Sequence, residues 1–308
     1  MPQPPAPAAT SAPFGRVLTA MVTPFTADGS LDLDAAQRLA SHLVDAGNDG
    51  LVVSGTTGES PTTSDDEAAR LLQAVVDAVG DRATVVAGAG SFDTAHSVHL
   101  ARRAAKCGAD AVLVVTPYYS KPPQSGLVRH FTSVADASDL PMMLYDIPGR
   151  TATKIATETL LRLAEHERIV AVKDATGDLF GGSVVMAQTG LAYYSGDDAL
   201  NLAWLTHGAV GVVSVVGHVA AAEYASMVRA VDAGDLTAAL AIHRRLLPVI
   251  TAMMTRTQGA ITSKAALQLL GVLPTRTMRP PLVDATEEEV AELRADLTAA
   301  GLLPGVAA

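Results

Sequence analysis

Lysine is scarce in this chain: Lys106, Lys121, Lys154, Lys173 and Lys264 stand against seventeen arginines. One of the five sits where a charge is costly. Lys173 ends the run Ile169-Val170-Ala171-Val172 and is followed by Asp174. Burial at the end of an apolar strand disfavours the ammonium, lowers its pKa and leaves a neutral amine able to attack a carbonyl. The competing reading is an ion pair with Asp174. Neighbours on a strand point to opposite faces, however, which makes that pair geometrically poor.

Four further segments carry groups suited to chemistry. Gly55-Thr56-Thr57-Gly58-Glu59 sets two hydroxyls between glycines, either as a capped loop before a helix or as a site for a carboxylate or proton relay. Thr116-Pro117-Tyr118-Tyr119 presents two phenols on a stiff loop, as packing, interface or catalytic groups. In Tyr145-Asp146-Ile147-Pro148-Gly149-Arg150, a phenol is followed by a guanidinium that either clamps a carboxylate or lies on the surface beside Asp146. Ser195-Gly196-Asp197-Asp198 pairs two carboxylates, which suit helix capping better than metal binding, with a glycine that admits ligand atoms close to the backbone. Gly88-Ala89-Gly90 lacks the third glycine of a dinucleotide loop, and His166, His207 and His218 have no partners at metal-ligand spacing.

Short apolar strands must hold these segments. Eight are predicted: Leu18 to Thr23, Leu51 to Ser54, Thr84 to Ala87, Ala111 to Thr116, Pro141 to Tyr145, Ile169 to Lys173, Ala192 to Ser195 and Val210 to Val215. Most are apolar throughout, as parallel strands covered on both faces are. Helices are predicted between them, at Asp32 to Ala46, Asp65 to Val79 and Thr94 to Cys107, with glycine stops at Gly47, Gly80 and Gly108 and again at Gly208. Eight such units predict an α/β fold, a (β/α)8 TIM barrel over residues 15–234. Helices at Asp235 to about Thr257, Ser263 to Leu270 and Thr286 to Ala299 then form a C-terminal helical domain over 235–308, with a proline-containing connector at Leu273 to Pro281. Residues 1–14, rich in proline and alanine, read as a flexible leader without the pattern of a secretory signal.

Composition narrows the function. The 308 residues are 49% hydrophobic and 18% charged, as in a globular protein. The formal charge of -10 opposes non-specific binding to nucleic acid or anionic membrane, so an anionic substrate must meet locally placed cations. The longest apolar runs, such as Ala111 to Val115 and Ala209 to Val216, fall short of the ~20 residues of a membrane helix. Cys107 is the sole cysteine, which fits a reducing cytoplasm.

With the glycine-threonine loop, the paired tyrosines, the Tyr145 to Arg150 loop and the Lys173 strand in this order, the sequence resembles the dihydrodipicolinate synthase family of pyruvate-dependent class I aldolases and lyases. The resemblance runs from about Gly15 to Leu303. It implies condensation of pyruvate with L-aspartate 4-semialdehyde in diaminopimelate and lysine biosynthesis, with a Schiff base on Lys173 and no metal or organic cofactor. Tyr145, Thr57 and Tyr119 would relay protons, and Thr56 and Thr57 would hold the pyruvate carboxylate near Gly196 and Val213. Arg150 would bind the aldehyde substrate's carboxylate. Tyr119 would reach the neighbouring subunit's site, implying a homotetramer of tight dimers.

Two readings compete with this one: a sister Schiff-base enzyme (a 2-keto-3-deoxy sugar-acid aldolase or N-acetylneuraminate lyase), and a non-catalytic keto-acid-binding barrel. Arg150 favours the synthase, because a sugar polyol does not need that clamp. One departure bears on regulation. Many bacterial members bind lysine with a histidine just after the glycine-threonine loop and an acidic residue on the helix after strand three. Here those stretches read Ser64-Asp65-Asp66-Glu67-Ala68 and Asp93-Thr94-Ala95-His96, so weak or absent lysine feedback is expected.

Overall fold

The computed structural model describes residues 11–303. Eight parallel strands close into a barrel in sequence order: β1 (Val17–Ala20), β2 (Gly50–Val53), β3 (Thr84–Gly88), β4 (Ala111–Val115), β5 (Met142–Asp146), β6 (Ile169–Asp174), β7 (Ala192–Ser195) and β8 (Gly211–Ser214). All eight expected strands are present, and the expected (β/α)8 barrel is the fold. β1 stops at Ala20 rather than Thr23, because the chain turns into loop contacts: the Val22 N–H donates to His218 Nε2 at 3.1 Å and the Thr23 hydroxyl to the Gly58 carbonyl at 2.6 Å. His218, which the sequence left without a partner, is thereby a buried clamp between the barrel wall and the β1 loop.

The helices between the strands are α1 (Leu33–Asp45), α2 (Asp65–Val79), α3 (Thr94–Lys106), α4 (Gln124–Ala135), α5 (Pro148–Thr151), α6 (Thr157–Leu163), α7 (Leu179–Gln188), α8 (Asn201–Thr206) and α9 (Gly217–Asp232). Their starts follow the side chains available for capping. Asp32 accepts from the Ala35 N–H, and Ser64 with Glu67 forms a reciprocal capping box at α2. Gly47, Gly108 and Gly208 take the left-handed conformation expected of helix stops, whereas Gly80 keeps helical angles.

Strand alternation divides the core into two parts. One face of each strand meets the helices through Val53, Val85, Val112, Leu144, Val172 and their neighbours. The other face fills the barrel with Leu18, Val52, Val86, Leu113, Met143, Ala171, Tyr194 and Val213. Each large aliphatic group so buried contributes roughly 1.5–3 kcal/mol. Phe14 belongs to the interior set and is buried, with its N–H on the Tyr194 hydroxyl at 3.2 Å and the two rings 6.2 Å apart. The leader expected over 1–14 thus does not extend to Phe14, which precedes β1 as a plug at the amino end of the barrel. Residues 1–10 lie outside the described residues.

Beyond Gly234 come α10 (Leu236–Met254), α11 (Gly259–Leu269) and α12 (Glu287–Ala299). α11 starts earlier than expected because Gln258 caps it, its side chain accepting from the Ala260 N–H at 2.5 Å. α10 packs on α9 and α12, and α11 on α9 and α12. By length and composition α10 could cross a membrane, with a mean hydropathy of 1.2 over 18 residues. It carries Arg244 and Arg245 near its middle, where each would cost ~2.5–3.5 kcal/mol in a bilayer. Its place among α9, α11 and α12 accounts for its apolar face.

Removing the plug tests the division of the core. Phe14→Ala is expected to lower the unfolding free energy by about 3 kcal/mol, in line with large-to-small changes at buried aromatics. Urea denaturation followed by tryptophan fluorescence and circular dichroism would measure it, and an unchanged midpoint would contradict the assignment.

Candidate active site

At the carboxyl ends of the strands a cavity of about 310 Å³ opens, as expected for a barrel of this class. Strand register brings its chemistry together. Tyr145 on β5 pairs with Lys173 on β6, and Lys173 with Tyr194 on β7, so the amine and the phenol come from adjacent strands on the inner face. Lys173 Nζ lies 4.2 Å from the centroid of the Tyr145 ring. Both side chains line the cavity and both residues are buried.

Burial sets the protonation states. Desolvation lowers the Lys173 pKa from 10.5 to about 8, with Arg150 acting in the same direction and Asp198 opposing both. Desolvation also raises the Tyr145 phenol well above its ordinary range, with Arg150 opposing and Asp197 adding to the shift. The pair therefore offers an amine that deprotonates readily beside a phenol that keeps its proton. The ion pair between Lys173 and Asp174 does not form. Asp174 lies on the outer face of β6, where it accepts from the Thr176 N–H and hydroxyl, both at 2.8 Å.

The bend of the lysine depends on Gly196. A Cβ there would stand 2.9 Å from Lys173 Cγ and 3.1 Å from the Asp174 carbonyl oxygen, so a side chain at this position would displace the amine. Asp197 accepts from the Ala199 N–H at 3.0 Å, the capping role expected of it. Asp198 is buried and accepts from the Val215 and Val216 N–H groups at 2.9 and 3.1 Å, which fixes the chain entering α9.

Most of the other expected site residues meet at the cavity. Thr56 and Thr57 line it from the β2 loop, Thr57 the more buried of the two, and Arg150 lines it from α5 with an exposed side chain. Two do not follow expectation. Val213 lies inside the barrel, and the wall at the end of β8 is formed by Val215, two residues nearer the mouth on the same face. Tyr119 is 93% exposed in a left-handed conformation and does not line the cavity of its own chain. Its neighbour Tyr118 does, packed edge-on against Phe92 with ring centroids 5.5 Å apart.

The sequence reading missed two features. Ser54, also left-handed, lines the cavity with a buried hydroxyl that has no partner. Glu59, at the end of the threonine loop, is buried against Lys264 of α11. Lysine within Ala260-Ile261-Thr262-Ser263-Lys264-Ala265-Ala266-Leu267 is the same kind of anomaly as Lys173 and could have been noticed in the sequence.

Known proteins share the sequence family and the barrel on which this site is built. A profile of the dihydrodipicolinate synthetase family matches residues 13–300. The chain belongs to that family. It is 66% identical to the 4-hydroxy-tetrahydrodipicolinate synthase of Kineococcus radiotolerans over 97% of this chain and 98% of that one. It is 67% identical to the enzyme of the same name from Acidothermus cellulolyticus, over 94% of each. Among solved structures, the dihydrodipicolinate synthase of Cyanidioschyzon merolae with lysine bound superposes with a TM-score of 0.92 at 43% identity, covering 95% of this chain and all of that one. The resemblance read from Lys173 and the loops around it is borne out, and with it the assignment to the lyases of amino-acid biosynthesis.

The state of Lys173 has a measurable consequence. Its nucleophilic form grows as pH rises through about 8. The initial rate of adduct formation with pyruvate, trapped by borohydride, should climb about tenfold per pH unit well below that value and level off about one unit above it. A rate still climbing as steeply near the pKa of a free lysine would show that the amine is not desolvated.

Proposed function

We propose that this protein is a 4-hydroxy-tetrahydrodipicolinate synthase that condenses pyruvate with L-aspartate 4-semialdehyde in diaminopimelate and lysine biosynthesis. The single observation that carries the reading is the buried Lys173 amine, which lines the cavity 4.2 Å from the centroid of the Tyr145 ring. Neutral Lys173 adds to the pyruvate ketone, and loss of water gives an iminium that draws electrons from the methyl group. Deprotonation of that methyl yields an enamine able to attack the aldehyde. The α-amino group brought in with the semialdehyde then attacks the imine carbon, closing the ring and expelling the Lys173 amine by transimination.

In this mechanism the Thr56 and Thr57 hydroxyls hold the pyruvate carboxylate. Protons pass between the phenol of Tyr145, Thr57 and Tyr119, because a phenol alone is a poor base near neutral pH. Gly196 gives the lysine its path and Arg150 at the mouth takes the carboxylate of the semialdehyde. The chemistry needs no metal or organic cofactor. We place Tyr119 in the site of a second subunit, within a homotetramer built from tight dimers. Its near-complete exposure, next in sequence to the cavity-lining Tyr118, supports that role. The substrates are small anions, no role is assigned to nucleic acid or membrane, and the site of action is the cytoplasm.

Lysine feedback is proposed to be weak or absent. Asp65 stands after the threonine loop, where many bacterial relatives of this type have histidine, and it meets His96 Nε2 at 3.0 Å and His99 Nε2 at 3.6 Å. An acid and a base already satisfy each other there.

Two experiments test this reading. A coupled assay with pyruvate and L-aspartate 4-semialdehyde, set against a panel of sugar-acid and other aldehyde acceptors, should give fastest turnover with the semialdehyde. Borohydride should fix a pyruvate-derived mass on wild type but not on Lys173→Ala. Arg150→Ala should lose about 10²-fold in use of the semialdehyde while still forming the adduct. Preference for a sugar-acid acceptor, or an adduct on Lys173→Ala, would overturn the reading. In the second, millimolar lysine added to the assay should leave the rate essentially unchanged, and strong inhibition would contradict the regulatory proposal.

A further inference from the structure

The Glu59–Lys264 pair is buried more deeply than the catalytic cavity requires. The Glu59 side chain has no exposed surface and that of Lys264 has 1%. Lys264 Nζ donates to Glu59 Oε1 at 2.5 Å and to the Thr277 carbonyl at 2.7 Å, and lies 4.2 Å from the centroid of the Phe25 ring. The second carboxylate oxygen of Glu59 accepts from the Arg279 N–H at 3.0 Å. A buried ion pair is poor evidence for stability as such, since two charges must leave water to form it. Fixing one local conformation is its better-supported use.

Here the conformation fixed is that of the threonine loop. Glu59 holds a left-handed φ of 54°, unusual for a residue with a side chain. Its N–H turns back to the Thr56 carbonyl at 3.2 Å, and its carbonyl accepts from the Thr62 N–H at 3.0 Å. Glu59 is thus tied directly to Thr56, and Thr57 lies in the turn that this bond closes. Arg279 secures the far side of the same loop, donating to the Thr62 carbonyl at 2.8 Å and to both oxygens of Glu67 at 2.9 and 2.6 Å.

We infer that Glu59 and Lys264 are positioning residues for the reaction: the C-terminal helices, through this pair, set where the Thr56 and Thr57 hydroxyls stand relative to Lys173 and Tyr145. The inference rests on the proposed Schiff-base mechanism and adds to it a function for α11. Neither residue lines the cavity. A displaced loop weakens the hold on the pyruvate carboxylate, which saturating pyruvate offsets because Lys173 stands on β6 outside the loop, whereas proton movement at the methyl group depends on hydroxyl placement at any pyruvate concentration.

The two steps are separable in experiment. Glu59→Gln keeps size and removes charge; Glu59→Gln/Lys264→Met removes both charges and leaves no buried ion unpaired. Each is assayed well below its own melting temperature for the borohydride-trapped pyruvate adduct and for exchange of the pyruvate methyl protons in deuterated buffer. The expected result is adduct formation at saturating pyruvate within about threefold of wild type, with methyl exchange and kcat down roughly 10- to 100-fold, the scale of a small misplacement of reacting groups. A folded variant that exchanges at the wild-type rate and has lost only thermal stability would overturn the inference. Failure of both variants to fold would assign the pair to folding and overturn it as well. Methyl exchange needs no aldehyde, so this readout is independent of the acceptor. Absence of any adduct on wild-type Lys173 would instead count against the mechanism itself.

Discussion

An ammonium at the end of β6 would give up its water shell in a cavity where its chain neighbour, Asp174, is turned away toward Thr176. The desolvation that results is the largest influence on Lys173 and makes a lysine useful as a nucleophile near neutral pH. The surrounding structure follows from keeping that amine dry and bent toward the cavity. A closed barrel covers every strand edge, the inner face is filled below the amine by Ala171 and Tyr194, and Gly196 leaves room for the methylene chain. The same desolvation keeps Tyr145 protonated, so one physical cause produces both a nucleophile and a proton donor.

The molecule buries a second lysine and treats it in the opposite way. Lys264 receives a carboxylate, a carbonyl and an aromatic face in direct contact, whereas Lys173 has an aromatic ring, with the Asp198 carboxylate and the Arg150 guanidinium acting on it through space. In both, burial lowers the pKa and a carboxylate works against that shift, Glu59 through a direct hydrogen bond at Lys264 and Asp198 through space at Lys173. A satisfied ammonium serves as an anchor and an unsatisfied one as a reagent. Residue type and burial do not distinguish the two; the partners do.

That distinction explains how much the sequence disclosed. The eight strands were legible because each is apolar over most of its length, the pattern of a sheet covered on both faces. Their ends were less so, since hydrophobicity continues past the last ladder hydrogen bond, as at Val22 beyond the Met21 N–H bond to the Val52 carbonyl. Lys173 was legible as a charge in an apolar strand. Lys264 carries the same signal on a helix, yet its partner is 205 positions away and no local spacing connects them. Period two along β8 gives the face but not the depth, which is why Val215 rather than Val213 forms the wall. The left-handed backbone of Ser54 is written in no residue type, and the proposed role of Tyr119 depends on a second chain.

The separation between Glu59 and Lys264 also bears on how the protein is made. A ribosome delivers the β2 loop early, Lys173 past the middle and α11 near the end, and domains generally begin to fold from the amino side. A nascent chain can hold most of the barrel wall while its threonine loop still lacks the ammonium that seats it. The strained Glu59 backbone has no reason to settle until α11 docks. On the proposed mechanism, the last helices to be synthesised would be the ones that seat the threonine loop.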